Sequence, residues 1–390
     1  MKLLIYSHFF APSVGGVETI VLELARGLSK LCDSNGTPAF DVTLATQTPA
    51  GGYDDAALAF GVVRQPTLLE LRKLIQACDV LHVAGPALLP LVLGRLMGKI
   101  VVVEHHGFQT ICPNGQLLIE PAGTPCPGHF MAGEHSECFR CNASLGWFGG
   151  RKLWLLTFVR RFLCSGIAAN ITPTQWLGDL IQLPNITAIP HGLAEISVPR
   201  RSAHNSARPT ITFLGRLVTT KGVRLLLEAA SELRRQNRTF ELLIIGDGPE
   251  RASLEKYASE AGLSGQARFA GRVIPAQLEV ALADSFLVVI PSLGGEVFGL
   301  VVAENMMRAL PVVASDLGAF TEVVGDAGLI FKTGNAADLA LKISQLLDDP
   351  ATAAQLGLRG RERALGFCSL SRMLGAHAAV YRRIYNSANR

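Results

Sequence analysis

Residues 296–304 read EVFGLVVAE, and the fold turns on how they are placed. Phe286, Leu287, Val288, Val289 and Ile290 run up to them, followed by Pro291, Ser292 and the pair Gly294-Gly295. A helical run continues to Leu310, where Pro311 stops it. The pattern predicts a buried strand, a loop and a helix. Leu300, Val301, Val302, Ala303, Met306, Met307 and Leu310 make that helix apolar nearly all round, so it is predicted to be buried. A carboxylate inside it, Glu304, needs hydroxyls or a cation facing it. Glu296 falls just before the helix N-terminus, where unpaired amides form an anion site. One carboxylate before the helix, one within it and amides between them suit a sugar joined to a nucleoside diphosphate. A solvated Glu beside a capped helix fits the spacing equally well.

With 390 residues the chain is long enough for two domains, and 49% hydrophobic against 17% charged residues allows a large core. A net charge of +4 suits a phosphorylated ligand or an anionic membrane surface and is too weak for nucleic acid. The start, MKLLIYSHFFAPSVGG, lacks the long apolar core of a signal peptide, and no apolar run reaches the ~20 residues of a spanning helix. The expectation is a cytoplasmic protein, peripheral at the inner face of the cell membrane. Eight cysteines without a signal point to thiols or metal ligands rather than a disulfide framework.

Lys2 to Tyr6 is a short apolar strand, followed by a loop with Gly15-Gly16 and a helix from Val17 to Leu31. That layout sets amides against phosphate, although two glycines fall short of a full dinucleotide fingerprint. Strands at 41–46, 80–83 and 99–103 alternate with helices at 67–77 and 86–97, implying a parallel sheet with sites at its C-terminal strand ends. Glu104, His105 and His106 lie at one such end. Histidine there can exchange protons near neutral pH or bond a sugar hydroxyl, and a surface histidine pair is the plain alternative.

Residues 108–150 break the rhythm. They carry Cys112, Cys126, Cys138 and Cys141, which could hold a structural zinc or remain unligated thiols. Arg151 to Cys164 then mixes Leu153, Trp154, Leu156, Phe158, Phe162 and Leu163 with Arg151, Lys152, Arg160 and Arg161. A basic amphipathic helix of this kind suits a membrane surface, and an ordinary domain helix is the alternative. Residues 194–209 are polar and non-periodic and read as a linker. This divides the chain into a first domain at 1–195, with the last helix 370–390 returning to it, and a second at 205–368. In the second, Arg216 and Lys221 lie at a strand end and a helix start, placed to clamp a diphosphate.

In these residues the chain resembles the family 4 retaining glycosyltransferases of GT-B fold, over most of its length. The resemblance is carried by FFAPSVGGVE at 9–18, VVVEHHGFQTICP at 101–113, GRLVTTKG at 215–222, IIGDGPE at 244–250, FAGRV at 269–273, EVFGLVVAE and PVVASDLGAFTEVV at 311–324, in the family's order and spacing. It implies an α/β protein of two Rossmann-like domains, with parallel sheets facing an inter-domain cleft. It implies that Arg216 and Lys221 hold the diphosphate, that Glu304 bonds the ribose, and that Glu296 faces the donor sugar. Phe298, Gly299 and Leu300 would offer amides, Gly15 and Gly16 approach the phosphates, His106 sits near the transferred sugar, and Arg272 and Val273 flank the base. The implied reaction moves a sugar from a nucleoside diphosphate sugar to an acceptor hydroxyl on a glycan or lipid-linked acceptor, with retention and no metal required. An epimerase or phosphorylase of the same fold, or a binding protein without turnover, are the rival readings. The chain departs from the family's E-A-M-A-x-G-x-P at ENMMRALP, with Asn305 and Ala309, and from its Asn-Gly at Pro190-His191-Gly192.

Overall fold

The computed structural model describes residues 1–120, 122–199 and 208–390. The chain folds as two units: residues 1–116, 128–194 and 368–390, and residues 117–127 with 195–367. Residues 200–207, within the stretch read as a linker, lie outside the described residues.

The first unit is built on strands β1 (Lys2–Ser7), β2 (Asp41–Thr46), β3 (Gly61–Arg64), β4 (Val80–Ala84) and β5 (Ile100–Glu104). A two-stranded hairpin, β6 (Leu118–Ile119) and β7 (Thr124–Pro125), falls in the second unit. Strands β8 (Ala169–Thr172) and β9 (Ile186–Ala188) complete the first sheet, in the order β3-β2-β1-β4-β5-β8-β9. All its pairings are parallel. The strands are nearly continuous apolar runs because helices cover both faces of such a sheet. β3 was not anticipated from the sequence: its GVVR is too short and too little buried to stand out.

The last helix, Leu370–Ala388, belongs to this unit and buries Met373, His377 and Tyr381. Its entry is fixed by backbone bonds from Leu193 N to Cys368 O (2.8 Å) and from Leu370 N to Leu193 O (3.1 Å). Gly192 permits this approach, since a Cβ there would lie 2.7 Å from the Leu370 Cα.

The second unit adds β10 (Thr210–Leu214), β11 (Glu241–Ile245), β12 (Ala267–Gly271), β13 (Ser285–Ile290), β14 (Val312–Ser315) and β15 (Leu329–Phe331). They form a parallel sheet in the order β12-β11-β10-β13-β14-β15. Its core joins Ile211, Phe213, Leu226, Leu242, Leu287 and Val313. The strand order reverses between β10 and β13. Ligands of open parallel sheets bind beyond the strand ends at such a point, so the loops after β10 and β13 are the expected site.

The helix at Leu300–Met307 ends through Ala309, whose φ is +57°. A side chain costs ~1–2 kcal/mol in that left-handed region, and the family's pattern has glycine there. Ala309→Gly should raise the stability of the second unit by about 0.5–1 kcal/mol once glycine's extra chain entropy is set against that strain. A urea titration of the two proteins checks this, and an unchanged or lower midpoint would rule out strain at Ala309.

Candidate active site

In the second unit, the loop after β10 closes in a tight turn at Thr219–Lys221, ended by Gly222 with φ +66°. A Cβ on Gly222 would stand 2.0 Å from the Pro291 carbonyl oxygen, and Leu293 N donates to Thr220 O at 2.8 Å. The turn is therefore pressed against the loop after β13. Lys221 Nζ reaches the Glu296 carboxylate, which also accepts from Ser292 Oγ at 3.3 Å. Arg216, on the same loop, is exposed and has no ion pair among the described residues. The loop after β11 packs behind it: a Cβ on Gly246 or Gly248 would lie 1.8 Å from the Gly215 carbonyl or 2.3 Å from that of Leu217.

Beyond Glu296, Phe298 is buried and Gly299 precedes the helix with φ +91°. A Cβ on Gly299 would meet the Phe320 ring at 2.5 Å, so glycine is required on both counts. No side chain caps this helix, leaving its first amides for a ligand. One turn in, the Glu304 carboxylate has no hydrogen bond or ion pair among the described residues. Burial pushes its pKa up, Arg308 opposes that, and Glu279 adds to it. Arg308 is itself bound by Glu279, with Nε and Nη2 at 3.0 and 2.7 Å from one carboxylate oxygen. It is thus only partly available to neutralise Glu304. Arg272 and Val273 follow β12, Arg272 exposed and Val273 half-buried.

In the first unit, Gly15 precedes the helix Gly16–Ser29 without a side-chain cap, and Gly16 is exposed. His106 stands two residues beyond β5. Its surroundings were not foreseen. The fully buried Glu104 is faced by His82, His106 and His377 at 3.3, 3.7 and 3.6 Å from Oε2, and by His191 at 3.5 Å from Oε1. Burial opposes its charge, yet His106, His377 and His82 hold its carboxyl well below the usual range. Burial also depresses the imidazoles of His82, His106 and His191, His191 to about 3. His105 points elsewhere: its Nε2 pairs with Asn170 Oδ1 at 2.9 Å, and burial lowers it to about 4. The sequence marked Glu104 as a strand end and His191 as a departure. Nothing in it joins positions 82, 104, 191 and 377, which come from four separate segments.

Of the candidate zinc ligands, Cys112 Sγ donates to Asn114 Oδ1 at 2.9 Å, and Asn114 Nδ2 donates to Cys141 Sγ at 3.4 Å. Cys138 is buried on the helix His135–Cys141, whereas Cys126 falls in the second unit. Among the described residues, the His, Cys, Asp or Glu set with ligand atoms all within 4.8 Å of one another is Glu104, His106 and His191.

Residues 196–363 match the family described as glycosyl transferases group 1. The chain is 32% identical over 178 residues to the 2-deoxystreptamine glucosyltransferase of Streptomyces kanamyceticus, covering 45% of this chain and 46% of that one. It therefore spans about half the length of that relative. It is 26% identical over 391 residues to the GDP-mannose-dependent alpha-(1-6)-phosphatidylinositol monomannoside mannosyltransferase of Mycobacterium tuberculosis, covering 93% of each. In structure it is similar to sucrose-phosphate synthase from Thermosynechococcus elongatus, with TM-score 0.73, 18% identity and 99% of both chains covered. It is also similar to Anabaena Alr3699/HepE in complex with UDP and glucose, with TM-score 0.72, 16% identity, and 98% of this chain and 100% of that one covered. At these identities the structural likeness establishes the fold.

The isolated carboxylate gives a pH signature. Because burial raises the Glu304 pKa, its ionisation opposes folding as pH rises. Below the ordinary carboxylate pKa the residue is neutral folded or unfolded, and Glu304→Gln should melt with the parent. As pH climbs through the raised folded pKa toward 7, the variant should become the more stable of the two. Melting curves across this range check it, and a parent more stable than Glu304→Gln at pH 7 would show that the carboxylate has a partner.

Proposed function

We propose that this chain, whose residues 196–363 match the glycosyl transferases group 1 and which has the GT-B fold, transfers a sugar from a nucleoside diphosphate sugar to an acceptor hydroxyl with retention of configuration. The observation that carries this is the Lys221–Glu296 pair at the β10/β13 switch point, ahead of an uncapped helix whose next turn holds a half-buried carboxylate without a partner among the described residues. Glu304 takes the ribose hydroxyls, which donate to its half-buried carboxylate. Arg216, Lys221 and the helix amides take the diphosphate. Once the phosphates draw on Lys221, Glu296 is released to bond the sugar. Arg272 and Val273 flank the base. His106, Gly15 and Gly16, in the other unit, act on the side of the transferred sugar and the phosphates.

As the bond from the anomeric carbon to the diphosphate oxygen breaks, negative charge gathers on the leaving group. Fixed cations and amides stabilise it there without reorganising. The diphosphate can then accept the acceptor's proton from the same face, which retains configuration. The transfer needs no metal at the diphosphate, because the protein supplies the positive charge. The similarity to a GDP-mannose-dependent enzyme and to a UDP-bound structure makes GDP-mannose and UDP-glucose the first donors to test. Each donor at 100-fold its Kd stabilises the protein that binds it by about 2.7 kcal/mol. The bound donor should raise the melting temperature, and Lys221→Ala and Glu304→Ala should abolish that rise. Transfer or slow donor hydrolysis should fall at least ~100-fold in Lys221→Ala and Glu296→Ala. Parental rates in both would remove the assignment, and binding without turnover by the parent would favour a binding protein.

The acceptor side favours a lipid-linked glycan at a membrane surface. The basic helix runs over Gly146–Ser165, longer than expected, and exposes Trp147, Phe148, Leu155 and Phe162 beside Arg151 and Lys152. Arg161 is committed to the protein through the Ile181 and Gln182 carbonyls, and Arg160 is partly buried. No helix among the described residues is long and apolar enough to cross a membrane. Co-sedimentation with phosphatidylglycerol vesicles should weaken roughly tenfold or more in Trp147→Ser/Phe148→Ser/Phe162→Ser, as expected from buried apolar area. Binding equal to the parent would place the acceptor face elsewhere.

A further inference from the structure

The reading above uses His106 and leaves the rest of the group around Glu104 without a role. Both Glu104 oxygens, His82 Nε2, His377 Nε2 and both His106 ring nitrogens are buried without a hydrogen-bond partner among the described residues. The separations of 3.3–3.7 Å between Glu104 and its imidazoles are ion-pair distances rather than hydrogen bonds. An unsatisfied buried carboxylate is among the more costly features a fold can hold.

The far sides of two rings fix their near sides. His377 Nδ1 lies 2.9 Å from the Met373 carbonyl oxygen and must donate to it. In the neutral ring, Nε2 then turns a lone pair toward a carboxylate oxygen, which repels it. His82 Nδ1 is similarly engaged by the Tyr381 hydroxyl at 2.8 Å. His82 and His377 are thus held by the protein on their far nitrogens, and a carboxylate sealed from solvent still lacks a positive charge to offset it.

We propose that Glu104, His106 and His191 bind a divalent transition-metal ion, whose charge offsets the burial of the carboxylate and the lone pair that His377 turns toward it. Their ligand atoms all lie within 4.8 Å of one another. Tetrahedral zinc with ligands at ~2.0–2.2 Å holds them roughly 3.4 Å apart. The Glu104-to-imidazole distances of 3.5 and 3.7 Å are close to that. The His106 and His191 rings are stacked, 5.2 Å apart and within 25° of parallel, on the same carboxylate. Two imidazoles and one carboxylate suit zinc, and a site built for calcium or magnesium would be all oxygen. The ion ties the end of β5 to the segment leading into the last helix, and it fixes His106. This site is separate from the cysteines at 112, 126, 138 and 141.

The test is elemental analysis of the full chain purified without chelator, followed by exchange with cobalt(II) chloride. About one zinc per chain is expected, with cobalt giving weak visible bands and no thiolate charge-transfer band. His191→Asn and Glu104→Gln should lose the metal with unchanged circular dichroism, while Cys138→Ser/Cys141→Ser retains it. Should a variant fail to fold, zinc-edge absorption of the parent decides by showing a nitrogen and oxygen shell. A parent that retains no zinc and takes up no cobalt would show that the cluster is held by shared protons alone. Metal lost with the cysteines but kept in His191→Asn would equally overturn the proposal.

Discussion

The close approach of Gly222 to the Pro291 carbonyl sets the geometry on which the second unit's site depends. No side chain fits at that contact, and with it the β10 and β13 loops share backbone hydrogen bonding. The ammonium of Lys221 is carried to Glu296 by backbone packing rather than by a flexible reach. A pair held this way is preorganised, which is where electrostatic stabilisation of a leaving group gains most.

Two carboxylates meet burial in opposite ways. Glu304 sits in an apolar helix with its neighbouring cation engaged by Glu279, so burial raises its pKa and it waits for hydroxyls from a ligand. Glu104 is buried more completely but is surrounded by imidazoles, so its carboxyl is lowered. The same local cost of desolvation is left largely uncompensated in one unit and is met by imidazoles in the other.

The exposed aromatic face of Gly146–Ser165 follows a related division of labour. Arg161 turns to the backbone carbonyls of Ile181 and Gln182 and anchors the helix, while the buried Thr157 bonds back to Leu153 within it. Trp147, Phe148 and Phe162 turn out, with Arg151 stacked 3.8 Å from the Trp147 ring. Contiguous exposed apolar patches mark interaction surfaces.

Apolar runs at alternating helix and strand spacing determined both parallel sheets from the sequence, because strands buried on two faces cannot tolerate polar residues. Arg216, Lys221 and Glu296 fall on the loops after β10 and β13, where glycine and proline marked turns in the sequence, and Glu304 falls inside the helix Leu300–Met307. The apolar residues around Glu304 suggested a buried helix, and the structure leaves Leu300, Val301 and Glu304 half-buried. The edge strand β3 was not legible, being short and half-exposed. Nor was the histidine cluster, because His82, Glu104, His191 and His377 become neighbours only when β4, β5, the segment after β9 and the last helix pack together. Sequence periodicity reports which face of an element is buried, whereas contacts across elements depend on strand order and helix return. Those are set by tertiary packing, and they decided what Glu104 faces.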